Sequence, residues 1–174
     1  MIDIYLLKIE STIKSDEFIM HIAEENLNIP SDKLIIERNK YGKPFFLNYP
    51  NIHYNISHTR GRIVCAISNR CIGIDVEKIR GFNRNIPKKF FTKNEQKYIF
   101  SKEEDINKRF FEIWTKKEAY VKWLGKGLEI QLSSFDVMHE KKISTISFED
   151  YVISVCSNIP KIQFNWILKS CKID

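Results

Sequence analysis

The chain has 174 residues, 43% apolar and 13% aromatic, with 28 Lys and Arg against 22 Asp and Glu and a formal net charge of +6. That is enough apolar material for one large domain or two small packed halves, and it excludes a disordered or fibrous chain. No apolar run approaches the roughly 20 residues that cross a bilayer, and the positive charge points to an anionic partner without choosing among nucleic acid, a phosphorylated cofactor and an acidic protein.

The opening Met1-Ile2-Asp3-Ile4-Tyr5-Leu6-Leu7 has an early acid and no basic leader, so it reads as a strand, Ile2–Ile9, rather than a signal peptide. A helix is predicted from Ser15 to Asn26, with Ser15 as N-cap and Phe18, Ile19, Ile22 and Leu27 on one face. Asn28-Ile29-Pro30-Ser31 stops it, Lys33–Glu37 is a short strand, and Asn39-Lys40-Tyr41-Gly42-Lys43-Pro44 is a turn-rich loop. Tyr54–Ser57, Gly61–Ser68 and Cys71–Glu77 follow as strands, the last two joined by a tight turn at Asn69-Arg70. Two helices come next, Asn94–Phe100 and Ile106–Leu124, the second ended by Gly125-Lys126-Gly127. The remainder returns to strands at Phe135–Met138, Ile143–Phe148, Tyr151–Val155 and Gln163–Leu168.

Each half, residues 1–80 and 81–174, thus carries a helix and several short strands, and the runs Ile63–Ser68 and Val152–Ser157 resemble each other loosely. The expected fold is α+β, two similar halves that are each a small antiparallel sheet with a helix against it. Cys65, Cys71, Cys156 and Cys171 include no CxxC spacing and read as buried, reduced thiols of a cytoplasmic protein.

Three constellations carry possible chemistry. In Cys71-Ile72-Gly73-Ile74-Asp75-Val76-Glu77, strand alternation turns Ile72, Ile74 and Val76 one way and Asp75 and Glu77 the other, about 7 Å apart along the backbone. Two converging carboxylates raise each other's pKa unless a cation neutralises them, and hard oxygen ligands of this kind suit magnesium. The bland reading is an edge strand with a solvated acidic face. In the predicted helix Ile106–Leu124, Phe110, Trp114, Val121 and Leu124 form the buried stripe, and Glu118 and Lys122 stand one turn apart on one flank. They are either a surface ion pair worth a few tenths of a kcal/mol, or a third carboxylate beside an ammonium that holds phosphate. In Asn55-Ile56-Ser57-His58-Thr59 the histidine either binds phosphate, acts as a base or caps a turn. There is no GxSxG elbow, Walker loop or dinucleotide glycine fingerprint.

Taken in order, the motifs Tyr41-Gly42-Lys43-Pro44, Asn55-Ile56-Ser57-His58, Ile72-Gly73-Ile74-Asp75-Val76-Glu77, Phe90-Phe91-Thr92-Lys93-Asn94-Glu95, Trp114-Thr115-Lys116-Lys117-Glu118-Ala119 through Lys122, and Gly125-Lys126-Gly127-Leu128 resemble the Sfp-type 4'-phosphopantetheinyl transferases of the holo-acyl-carrier-protein synthase superfamily. The resemblance spans residues 33–138 and implies a pseudo-twofold arrangement in one chain, with coenzyme A between the halves. It further implies transfer of 4'-phosphopantetheine from coenzyme A to a serine of an apo acyl, peptidyl or aryl carrier protein, releasing adenosine 3',5'-bisphosphate. By that resemblance Asp75, Glu77 and Glu118 are the Mg2+ ligands, and Lys122 lies near the pyrophosphate and the leaving phosphate. Lys43 and His58 are similar to contacts of the cofactor's nucleotide phosphates, with Ser57 beside them. Glu95 resembles a carboxylate that deprotonates the incoming serine, a role for which Glu77, Glu118 and a metal-bound water compete.

One departure stands out: Lys8 and Lys14 are the only basic residues before His21, so the arginine-rich stretch usual at the N-terminal end of this family is missing and a reduced cofactor-binding surface is expected. A cytoplasmic monomer acting on coenzyme A and a carrier protein, without nucleic acid or membrane, is the resulting expectation. Its rivals are a non-catalytic module that binds coenzyme A or a carrier protein, and a basic nucleic-acid binder, against which the scattered lysines argue.

Overall fold

Apolar side chains of the strands alternate between two faces, and this alternation sets the layers of the molecule. The computed structural model describes residues 2–9, 13–158 and 164–169, the last as backbone alone, and Leu128 without its side chain. Strands β1 (Ile2–Lys8), β4 (His53–Thr59), β5 (Arg62–Ser68) and β9 (Phe164–Lys169) form one sheet in the order β4-β5-β1-β9. Its first three strands are antiparallel neighbours, and β9 joins β1 in parallel. A second, antiparallel sheet has the order β6-β8-β7, from β6 (Ile72–Lys78), β7 (Ile143–Phe148) and β8 (Tyr151–Ser157). β2 (Ile36–Arg38) and β3 (Pro44–Phe46) make a short ribbon. Four helices complete the α+β fold: α1 (Ser15–Leu27), α2 (Asn85–Phe90), α3 (Lys93–Ile99) and α4 (Ile106–Leu124).

The two sheets lie face to face. Ile2, Ile4, Leu6, Val64 and Ala66 of the first meet Ile72, Ile74, Val76, Ile153 and Val155 of the second. On the outer face of the first sheet, Tyr5, Leu7, Ile63, Cys65 and Ile67 receive Phe18, Ile19, Ile22 and Ala23 of α1. A third apolar cluster gathers α2 to α4 with Val137 and Val152, around stacked Phe82, Phe110 and Trp114. Each fully buried aliphatic chain in these cores contributes about 1.5–3 kcal/mol.

Several elements differ from expectation. α1 starts at Ser15, but its N-cap is Lys14 with no side-chain cap bond, and Asp16 and Glu17 in the first turn interact with the positive end of the helix dipole instead. Residues 31–33 form a helical turn, so the strand expected at Lys33–Glu37 begins at Ile36. The turn at Asn69-Arg70 closes no hairpin; it hands the chain from the first sheet to the second, so β6 pairs with β8. Phe135–Met138 is a loop, because its backbone groups are taken by side chains: Phe135 O accepts from Lys117 and Val137 N–H donates to Glu95. Leu124, placed on the buried stripe of α4, is exposed, while Phe111, Ile113 and Ala119 are fully covered. Of the cysteines, Cys65 and Cys156 are buried free thiols and Cys71 is an exposed one, since it precedes the first laddered residue of β6. Cys171 and Gln163 lie outside the described residues.

At Gly73 the backbone of α4 comes directly onto β6. A Cβ built on Gly73 would lie 2.1 Å from the Ala119 carbonyl oxygen and 2.4 Å from the Trp123 nitrogen. Only a residue without a side chain lets the helix backbone rest on the strand here. Gly73→Ala is expected to push α4 off β6 and destabilise the fold by about 1–3 kcal/mol or more. A urea unfolding midpoint equal to that of the wild type would contradict this packing.

Candidate functional site

With Ile72, Ile74 and Val76 committed to the space between the sheets, the odd-numbered residues of β6 face α4. Gly73 gives the helix its contact, and Asp75 lies one step further along that face. From α4, Lys122 reaches back so that its Nζ stands 2.7 Å from Asp75 Oδ1. Glu118, one helical turn earlier, lies on the same flank.

A third element completes the group. β4 is at one edge of the first sheet and β6 at one edge of the second. Their backbones do not ladder; polar side chains of β4 bridge them at every second position. Asn55 Oδ1 accepts the Ile74 N–H (2.8 Å), Ser57 Oγ donates to Asp75 Oδ1 (2.7 Å), and Thr59 Oγ1 donates to Glu77 Oε2 (3.2 Å). Lys122 Nζ also donates to Ser57 Oγ at 2.9 Å. Ser57, Asp75 and Lys122 are therefore a closed triangle, contributed by one strand from each sheet and by α4.

Its electrostatics are unbalanced. Both donors converge on Asp75 Oδ1, while the buried Oδ2 has no hydrogen-bond partner. Glu118 has its pKa raised, first by burial and then by the Asp75 and Glu77 charges, with Lys122 opposing. Asp75 and Glu118 thus share the Lys122 ammonium, while Glu77 is held by Arg80, whose Nη1 lies 2.8 Å from Glu77 Oε2 near the surface. Among the described residues no three His, Cys, Asp or Glu side chains are already gathered as a metal-holding group. The chemistry of Asp75, Glu77 and Glu118 still fits a hard cation: all donors are carboxylate oxygens, one is buried and unpaired, and negative charge is in excess.

The other expected residues fall elsewhere. His58 is exposed on β4, one residue out of phase with Ser57 and so on the opposite face of the strand. Lys43 does not reach into solvent; its Nζ donates to the carbonyl oxygens of Ile72 (2.9 Å) and Lys122 (2.6 Å). Glu95 is not a free base. It is fully buried and paired with the equally buried Lys117 at 2.9 Å. Its Oε1 accepts the Val137 N–H and its Oε2 the Thr92 N–H, completing the capping box of α3. Every oxygen of Glu95 is engaged in holding α3, α4 and the 132–138 loop together.

The sequence singles out the Asn55–Thr59 segment for His58 and Ser57, but not as a polar rank facing β6, and it does not single out the hydroxyl chain behind Asp75 at all. Ser154, opposite Asp75 in the β6–β8 ladder, contacts the hydroxyls of Thr115 and Thr145, both at 2.8 Å. The legible signal was the alternation Asn55, Ser57, Thr59, matching in period the acidic positions of β6.

Glu118 yields a stability test. Its folded-state pKa lies above the unfolded value, so ionising it in the native state opposes folding. That penalty is absent below the ordinary carboxylate range and grows as pH rises through the folded pKa. In EDTA, Glu118→Gln is expected to melt above the wild type at pH 8, with the gap closing as pH falls into the carboxylate range. Equal or lower melting of the variant at pH 8 would contradict the crowding.

The family model of the 4'-phosphopantetheinyl transferase superfamily matches residues 71–163, which contain β6, α4 and β8. A 4'-phosphopantetheinyl transferase of Aneurinibacillus migulanus is 40% identical over 147 residues, 75% of this chain and 61% of the relative. The 4'-phosphopantetheinyl transferase Sfp of Bacillus subtilis is 31% identical over 141 residues, 80% and 63% of the two chains. A mouse L-aminoadipate-semialdehyde dehydrogenase-phosphopantetheinyl transferase is 35% identical over 136 residues, 68% and 44%. The chain spans less than two thirds of the length of these curated relatives. It belongs to the 4'-phosphopantetheinyl transferase superfamily.

Proposed function

We propose that the chain transfers the 4'-phosphopantetheine moiety of coenzyme A to the serine hydroxyl of an apo acyl, peptidyl or aryl carrier protein, with Mg2+, releasing adenosine 3',5'-bisphosphate. The observation that carries this reading is the Ser57–Asp75–Lys122 triangle, with Ser57 and Asp75 buried, Lys122 partly so and Glu118 beside it, built from family-motif residues. The incoming serine oxygen bonds to the phosphorus on the pantetheine side of the pyrophosphate, and the bond from that phosphorus to the bridging oxygen breaks. The electron pair leaves with adenosine 3',5'-bisphosphate, and the serine proton goes to a carboxylate. The nucleophile comes from the partner, so the chain needs none of its own.

Asp75, Glu77 and Glu118 would hold the Mg2+, which when bound withdraws charge from the pyrophosphate oxygens. Lys122 supplies the positive charge for the leaving phosphate. Glu77 and Glu118 are the competing acceptors for the serine proton, and the enclosure of Glu95 by Lys117 and two backbone N–H groups argues against that residue. Ser57 helps hold Asp75 and Lys122 in place, and His58 meets the nucleotide phosphates from the outer face of β4. The +6 charge favours both an anionic cofactor and an acidic carrier.

The pseudo-twofold belongs to the same reading. β1-α1-β4-β5 and β6-α4-β7-β8 share an order, and in each sheet the last of the three strands lies in the middle, as β1-β5-β4 and β6-β8-β7. Under it the first half ends before β6 rather than at residue 80, because β6 pairs with β8; the two halves then meet where β4 lies beside β6, and one chain completes the site as a monomer. Free thiols at Cys65, Cys71 and Cys156 support a cytoplasmic setting.

The test is intact mass of an apo acyl carrier protein after incubation with the chain, coenzyme A and Mg2+. A phosphopantetheine mass gain is expected, abolished by EDTA and slowed by a factor on the order of 10² or more in Asp75→Ala. A folded chain that binds coenzyme A yet modifies none of several apo carriers would instead favour the non-catalytic module.

A further inference from the structure

The Lys43 ammonium has three N–H donors and is met by three carbonyl oxygens: Ile72 at 2.9 Å, Lys122 at 2.6 Å and Trp123 at 3.4 Å. Two elements supply them. Ile72 opens β6, three residues before Asp75, and Lys122 and Trp123 belong to the last turn of α4. That turn has carbonyls without helical partners and carries the negative end of the helix dipole. The segment that delivers Lys43 is clamped to the same place. Asn39 Oδ1 accepts the backbone N–H groups of Tyr41 and Lys43, and its Nδ2 donates to the Gly125 carbonyl at 3.0 Å. Burial lowers the Lys43 pKa, as expected for an ammonium removed from water. For the ammonium to reach a phosphate it would have to abandon all three part-buried carbonyls.

We infer that Lys43 is a positioning residue: its ammonium fixes the register between the last turn of α4 and β6, and so holds the Lys122 side chain at Asp75 and Ser57. The geometry accounts for the effect, since Lys122 is gripped at both ends. Its carbonyl is held by Lys43 and its ammonium by Asp75 and Ser57. Loosening the first contact moves the base of the side chain whose tip must meet the leaving phosphate, and displacements of about 1 Å at such groups cost up to about 10²-fold in rate.

Only the kinetic arm of the test rests on the transferase reading. Lys43→Met and wild type are compared for kcat and KM for coenzyme A at saturating carrier, and separately for amide hydrogen exchange over residues 121–125 without ligands. The positioning role predicts a kcat lower by about 10- to 100-fold, KM for coenzyme A within about twofold, and lost protection in that segment. A raised KM with unchanged kcat would make Lys43 a phosphate contact and overturn the inference, as would wild-type protection of residues 121–125. If the wild type transfers nothing, the transferase reading fails on its own, and the exchange result alone decides for or against Lys43. Should Lys43→Met not fold, Lys43→Arg, which keeps the charge but offers a planar fork in place of three converging donors, carries the same readouts.

Discussion

The contact between the backbone of α4 and Gly73 of β6 is the constraint from which the site follows. Helices ordinarily rest on sheets through side chains, at a distance that would leave a lysine and an aspartate on facing elements to meet by chance. Here the missing side chain brings the helix down onto the strand, and the next residue on the same face, Asp75, comes within reach of Lys122. The polar rank of β4 closes the third side. Without the close approach, Asp75 and Glu77 would be the acidic face of an edge strand, and Glu118 and Lys122 would be an unremarked pair on a helix.

Two ion pairs among the described residues, one fully buried and one partly exposed, illustrate how saturated and incomplete sets of charges differ. Lys117 and Glu95 are both removed from water, and both are saturated: the ammonium has Leu132 and Phe135 carbonyls besides its partner, and the carboxylate has two backbone N–H groups. Removing one member of such a pair typically costs about 3–5 kcal/mol, because the other is left charged and alone. The Lys122–Asp75 pair is incomplete by comparison. One carboxylate oxygen is buried and unpaired, Glu118 resists ionisation, and the lysine tip keeps some exposure. Stability alone would favour completing that set or replacing it with apolar packing. Under the proposed function, this incomplete set of charges at the junction of two sheets is where a cation and a polyanion would be received.

The sequence made α4 legible to the residue, because its length, period and terminal glycine all agree, and it made the alternation of β6 legible because apolar and acidic residues strictly interleave. It also grouped Asp75, Glu77, Glu118 and Lys122 through motif order. What escaped it depended on tertiary partners. The loop at Phe135–Met138 has strand-like composition, but Lys117 and Glu95 claim its backbone. Lys43 and Glu95 carry charges typical of a site, yet each is enclosed by backbone groups that lie far away in sequence. The turn at Asn69-Arg70 looks like that of a hairpin, and only the competition between two sheets decides that β6 pairs with β8. In each case local pattern gave the residue type correctly, and a long-range hydrogen bond gave its employment.

The central claim is that Asp75 and its neighbours form one receptor for a divalent cation together with the coenzyme A pyrophosphate. Calorimetric titration of coenzyme A into the wild type and into Asp75→Asn, each with Mg2+ and with EDTA, addresses it most directly. The account predicts that Mg2+ strengthens coenzyme A binding to the wild type and has no such effect on a folded Asp75→Asn. Equal enhancement by Mg2+ in both proteins would place the cation elsewhere and contradict the account.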